Sequence, residues 1–263
     1  MTDTVRRQLP LFYRTPEPLN AAQHGDLRIV EGDLAFAADT NALPIVLGEF
    51  AAAMRHYPIV FAGDDGFPVA ILGLGQGNRF VEQGRWGEGI YLPAYLRRYP
   101  FGFIDAGARG FALALDTGSE RVVRGDEAGV ALFEGNQPTE FTLGAMAFCN
   151  EFQAAHGQTR AFVEALLAND LLVIQEAEAR LASGQPMRLG GFRVVDREAF
   201  GKLSDALVLE WHRLGWLALI HFHFASLDRF QDLLVRESAL ASATDDSSQS
   251  DAIVGIDSSI EVH

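Results

Sequence analysis

Residues 217–230 read LALIHFHFASLDRF: two histidines one residue apart in an apolar run, with an aspartate five residues after the second. These are residue types that bind a metal. On a strand, His221 and His223 would share one face, and two imidazoles with the carboxylate of Asp228 could form a facial triad for oxygenase-type chemistry. The same residues also read as plain structure. A strand over 216–224 has to end near Ser226, which puts Asp228 in the first turn of the next helix, where a carboxylate stabilises the helix dipole. Phe222 and Phe224 would take the opposite face, and the glycine and acidic positions that surround a cupin His-x-His are missing. The preferred expectation is therefore a strand over 216–224 with His223 hydrogen-bonded to protein groups, no metal and no cofactor. A metal-dependent enzyme using His221, His223 and Asp228 is the alternative.

Three further stretches carry candidate chemistry. In YLPAYLRRYP (91–100), Arg97 and Arg98 fall off the apolar face of a short helix that Pro100 must end. Beside Tyr95 and Tyr99, two guanidinium groups could hold a carboxylate or phosphate through bidentate bonds. The competing reading is a pair of solvated arginines bonded to the chain's own carboxylates, each pair weak. Tyr95, Arg97, Arg98, Tyr99 and His223 form the candidate ligand-binding set, with Leu92, Tyr95, Leu96 and Tyr99 expected to be buried and Arg97 or Arg98 to line a groove. GLGQGN (73–78) contains G-x-G-x-G after a strand, but a dinucleotide fingerprint needs a helix directly afterwards. RFVEQGRW follows instead, so a glycine-rich turn is expected. Cys149 lies on the apolar face of a helix, as a small hydrophobe would. His156, seven residues on, is the nearest group that could activate it as a nucleophile.

These residues need elements to position them. The chain has 263 residues, 48% hydrophobic and 21% charged, with a formal net charge of −14. That composition suits a globular protein with a substantial core, and the negative field disfavours nucleic acid and anionic membrane surfaces as partners. A single cysteine allows no intramolecular disulfide. Neither a signal peptide nor a transmembrane run is legible, so a cytoplasmic protein is expected, with signal-independent export left open.

Periodicity predicts an amphipathic helix over 43–57, hairpins over 58–74, 101–116 and 176–196, and a third strand at 79–86. It also predicts a helix capped by Thr139 and broken at Gly157, a second helix over 158–168, and helices at about 197–214 and 227–238. Paired strands with helices grouped between them indicate an α+β fold, one main domain over 1–240 with a largely antiparallel or mixed sheet and several packed helices. Residues 241–263, rich in Ser and Asp, read as a disordered acidic tail. Within it, AIVGI (252–256) could be a docking strand for a protein partner.

HYPIVFAG (56–63), PVAILGL (68–74), RFVEQGRW (79–86), YLPAYLRRYPF (91–101), TRAFVEALLANDLL (159–172), LGGFRVVDREAFGKL (189–203) and HFASLDRFQDLL (223–234) occur in that order. Together, over roughly residues 8–237, they resemble the bacterial SapC family, with YLPAYLRRYPF the most specific piece. The family motif needs one histidine, at His223; His221 is particular to this chain. The resemblance implies a tie to the surface layer of some bacteria. It implies a non-catalytic binding or accessory protein, linked to that layer or to uptake or modification of a small molecule or peptide. A structural surface-layer component is a third reading.

Overall fold

The computed structural model describes residues 9–105, 110–125, 128–180 and 186–253. Its largest sheet has five strands in the order Leu172–Arg180, Pro186–Val195, Ile59–Ala62, Phe67–Ile71 and Ala42–Pro44, every ladder antiparallel. Two three-stranded antiparallel sheets stand beside it. One joins Pro16–Pro18, Phe111–Asp116 and Phe101–Asp105; the other joins Val122–Arg124, Leu27–Ile29 and Val130–Ala131. The fold is α+β, as the pairing of strand signals indicates. The three expected hairpins form, their strands pairing as antiparallel neighbours. In the first of them Gly66 takes φ +65°, a backbone state glycine adopts without strain.

Ile59, Val60 and Phe61 are all fully buried, so this strand is covered on both faces. Phe162, Val163 and Leu166 of the long helix Glu140–Ala168 pack around Phe61, together with Trp211 and Ile220. Phe50, Tyr57, Ala70, Leu72 and Leu96 belong to a second cluster, which meets the first where the Phe50 ring stands 6.5 Å from that of Phe162.

Several expectations give way to tertiary context. The predicted helix over 43–57 is an edge strand, Ala42–Pro44, then a 3-10 turn, Leu47–Glu49, and one helical turn, Phe50–Ala53. Its apolar stripe is real, but the first part is spent on pairing with Val69–Ile71. RFVEQGRW supplies two short strands, Val81–Glu82 and Arg85–Trp86, joined through Gln83 and Gly84, both at positive φ, the geometry of a type I′ turn. The expected helix at 197–214 divides into Arg197–Phe200, capped by Asp196, and Asp205–Arg213, capped by Ser204.

The largest correction concerns 216–224. This segment is a helix, Trp216–Ser226, and not a strand. Gly215, at φ +75°, closes the preceding helix and lets a new one begin. Ile220, His223 and Phe224 are buried at i, i+3 and i+4 spacing, the signature of one helical face.

Thr139 caps the long helix as expected, accepting from the Thr142 N–H at 3.3 Å. Gly157 does not end it: the helix runs unbroken to Ala168 because Phe152, Thr159, Phe162, Val163 and Leu166 continue one buried face. Gly157 is exposed, and a Cβ there would meet nothing within 4 Å. Gly157→Ala should therefore stabilise the protein by about 0.5–1 kcal/mol, read as a rise in thermal midpoint; a fall would mean the helix is not continuous there.

The closing helix spans Arg229–Ile253. The side chains of the tail expected from residue 241 lie, from 242 on, outside the described residues, as does most of AIVGI. Among the described residues no helix is long and apolar enough to cross a membrane.

Candidate functional site

With 216–226 helical, His221 and His223 no longer share a face; two residues along a helix turn them about 200° apart. His221 is exposed, its ring 5.6 Å from that of Phe200. Asp228 is exposed just before the closing helix. The geometry behind the alternative metal triad is thus replaced.

His223 is fully buried and both of its ring nitrogens are engaged. Strands Pro186–Val195 and Ile59–Ala62 pair only at Phe192–Ala62 and Arg193–Phe61 and then splay. His223 fills the fork. Its Nε2 accepts from the Val195 N–H at 3.1 Å, which leaves the proton on Nδ1 to be donated to the Ile59 carbonyl at 2.7 Å. One turn later Ser226 Oγ accepts from the Ile59 N–H at 2.9 Å. Burial, with Arg197 nearby, pushes the imidazole down to about 4, against one opposing bond to Ile59. This is a neutral structural histidine replacing a missing stretch of ladder, and it does not line the cleft beside residues 91–101.

The glycine-rich stretch 73–78 is also structural. Two short strands follow it rather than a helix, and it folds back so tightly that a Cβ on Gly73 would stand 2.2 Å from the Gly77 carbonyl oxygen. Glu237, buried on the closing helix, accepts from the Leu74 N–H at 2.9 Å and pairs with Arg79 at 2.8 Å. Cys149 is buried, and burial pushes its thiol up to about 11, so it is protonated and inert near neutral pH. The His156 ring stacks on Phe67 instead of meeting it.

The segment 91–101 is organised by a residue the sequence does not mark. Glu49 is buried, and its carboxylate accepts from the Ala94 N–H at 2.7 Å, the Tyr91 hydroxyl at 3.0 Å and the Val46 N–H at 2.9 Å. Burial raises its carboxyl group above the usual range against the pull of those donors, and pushes the Tyr91 hydroxyl up to about 12. Pro93 and Pro100 bracket the single helical turn Ala94–Arg97. Tyr95, Leu96 and Tyr99 are buried and Leu92 is half-buried. The Tyr95 hydroxyl donates to the Leu11 carbonyl at 3.3 Å, and its face carries the Arg98 guanidinium at 4.2 Å, with Phe152 on it at 4.4 Å. Tyr95 is therefore a support behind the surface. Tyr99 donates to the fully buried Asp116 at 3.0 Å, and Asp116 also takes the N–H groups of Arg14 and Thr15.

In front of this turn lies an open cleft of about 500 Å³. One wall is the long helix, with Phe141, Gly144, Ala145 and Phe148. The other is Arg97–Phe101, and Ile29 and Val30 close one side. Arg97 lies over the rings of Phe148 and Tyr91 at 5.2 and 5.8 Å. Arg121 reaches the cleft edge from the turn before the strand Val122–Arg124, where Nη2 donates to the carbonyls of Gly32 at 2.9 Å and Asp33 at 2.5 Å. A second, more polar cavity of about 540 Å³ lies beyond Arg121 and Tyr99 and shares both with the first. Among the described residues no carboxylate pairs with Arg97, Arg98 or Arg121. Among the described residues Glu31 is the one carboxylate in the cleft lining, and no histidine, cysteine or serine lines it. Cations over aromatic rings beside apolar walls can bind and orient an amphipathic anion.

Of the candidate binding set, the structure brings Arg97, Arg98 and Tyr99 together on the cleft, keeps Tyr95 behind it and places His223 elsewhere. Sequence reasoning missed Glu49, Arg121 and Asp116, which carry no local signal. Phe141, on the helix wall, is 39% exposed at the cleft.

A family model described as SapC matches residues 19–233. No curated protein and no solved structure matches the chain significantly.

Proposed function

The chain belongs to the SapC family, and from that footing we propose that it is a non-catalytic binding or accessory protein whose cleft beside residues 91–101 takes a small molecule or peptide. One observation carries this reading. An open apolar cleft is edged by three guanidinium groups that have no carboxylate partner among the described residues, in a chain with 35 acidic and 21 basic residues. Clefts of this size and lining are the usual form of small-molecule sites. Among the described residues the lining holds no serine, cysteine or histidine, and Glu31 is its one carboxylate. The link to the surface layer, or to uptake or modification of the ligand, follows from the family resemblance and belongs to the same proposal.

Gly144 provides the test. It lines the cleft, and a Cβ there meets nothing within 4 Å, so Gly144→Trp should fill the cleft without disturbing the core. Wild type and variant, purified side by side from the native host, are extracted and compared by mass spectrometry. A species that accompanies wild type and is lost, or depleted about tenfold or more, in a variant of equal thermal midpoint supports the site. Identical extracts would overturn it.

A further inference from the structure

The chemistry of the ligand can be taken further, on the footing that this cleft is the binding site. Some cations elsewhere pair with carboxylates, Arg79 with Glu237, Arg124 with Asp26 and Arg229 with Asp232, and others, such as Arg28 and Arg193, donate only to carbonyls among the described residues. At the cleft three such unpaired guanidinium groups stand together. Arg97 spends Nε on the Leu92 carbonyl at 3.1 Å and Nη2 on the Tyr91 hydroxyl at 3.2 Å, both neutral, which leaves Nη1 for another acceptor. Arg121 bonds only to carbonyls. The Nε–H groups of Arg98 and Arg121 are buried without an acceptor. A chain with anions in excess thus keeps three guanidinium groups together with no carboxylate in ion-pair contact among the described residues; Glu49 and Asp33 act on Arg97 and Arg121 only through space. Arg98 and Arg121 are partly buried and so attract an anion more strongly than solvated cations would, while Arg97 is exposed and open to a ligand.

We infer that the cleft binds a monoanionic carboxylate carried on an aromatic or aliphatic body. The carboxylate lies against Arg97, and the body lies between Phe101, Phe141 and Phe148. A single charge is favoured because a net charge of −14 repels a dianion such as a phosphate monoester about twice as strongly as it repels a monoanion. The acid could be a free organic acid or the C-terminal residue of an apolar peptide. Both present the same carboxylate on the same kind of body.

Calorimetric titration of the full chain separates these outcomes. The probes are octanoate and octanamide, and N-acetyl-Leu-Phe as its free acid and as its C-terminal amide. At least one acid should bind, with its amide about tenfold weaker or worse, and Arg97→Ala, an exposed position, should cost the acid a similar factor and leave the amide unchanged. Octanoate alone binding assigns a free acid, and the peptide acid alone assigns a peptide C-terminus. Equal binding of acid and amide, or no effect of Arg97→Ala on the acid, would overturn the carboxylate assignment. If Gly144→Trp then abolished that binding, the cleft would stand as the site and only its charge preference would fall. No binding of any probe up to about 5 mM would overturn the assignment as well, and the extract comparison would still decide the site.

Discussion

His223→Ala should lower the free energy of unfolding by about 4 kcal/mol. The substitution opens a cavity in a fully buried position. It also strands two backbone groups, the Val195 N–H and the Ile59 carbonyl, that no strand pairing can recover because the two strands have already diverged there. An unsatisfied buried polar group costs about 1–3 kcal/mol, and the lost packing adds to it. Urea unfolding checks this. A loss under about 1 kcal/mol would mean that the imidazole does not hold the fork. If the alanine variant does not fold, Ser226→Ala tests the same joint more gently, since it removes only the acceptor for the Ile59 N–H.

The same histidine predicts an acid-sensitive stability. Its folded value lies near 4, below the usual 6.5, so between those values the unfolded chain binds the proton and the folded one does not. Stability is therefore complete above about pH 6.5, falls as pH drops towards 4 and levels off below. A displacement of that size is worth on the order of 3 kcal/mol. Unfolding measured at pH 7 and at pH 4.5 should show this loss in wild type and a correspondingly shallower one in a His223 variant. Parallel curves would place the acid sensitivity in other groups.

Glu49→Ala should cost a similar amount, about 3–5 kcal/mol, because it leaves the Val46 and Ala94 N–H groups and the Tyr91 hydroxyl without their shared acceptor in a buried place. Unlike the histidine joint, this one supports the cleft: Ala94 begins the helical turn that carries Arg97 and Arg98. Glu49→Gln keeps one acceptor oxygen and should lose about half as much. Denaturant unfolding gives the magnitudes. A near-neutral Glu49→Ala would show that residues 91–94 hold their course without the carboxylate. Acid acts on the two joints with opposite signs. Burial raises the Glu49 carboxyl, so the folded protein takes up its proton before the unfolded chain does, and this contribution to stability is greatest at low pH and fades as pH rises through the folded value.

Much of the architecture was legible in the sequence because it rests on local signals. The hairpins at 58–74, 101–116 and 176–196 follow from alternation and turn chemistry within a few residues. The Thr139 cap and the halt at Pro100 follow from side-chain and backbone geometry at single positions. Burial of Tyr95, Leu96 and Tyr99 follows from helical spacing inside YLPAYLRRYPF. What failed were stretches where the local signal fits two periods. LALIHFHF is apolar on nearly every side, so neither alternation nor a stripe distinguishes strand from helix. Only the packing of Ile220, His223 and Phe224 against Phe61 and Val195 selects the helix. Gly157 carries a breaker's signal, but the apolar face on both sides of it outweighs its propensity.

The site itself is a tertiary product. His223 finds its partners 28 and 164 residues away, and Glu49 finds Ala94 across 45. The cleft joins Ile29, Arg97 and Phe148 from three separate elements with Arg121 from a turn. The sequence determined which residue types were available, an aromatic and arginine-bearing turn in an acidic chain. Whether those arginines would meet carboxylates or be left facing an apolar wall depends on which distant segments the fold brings beside them, and spacing along the chain does not contain that information.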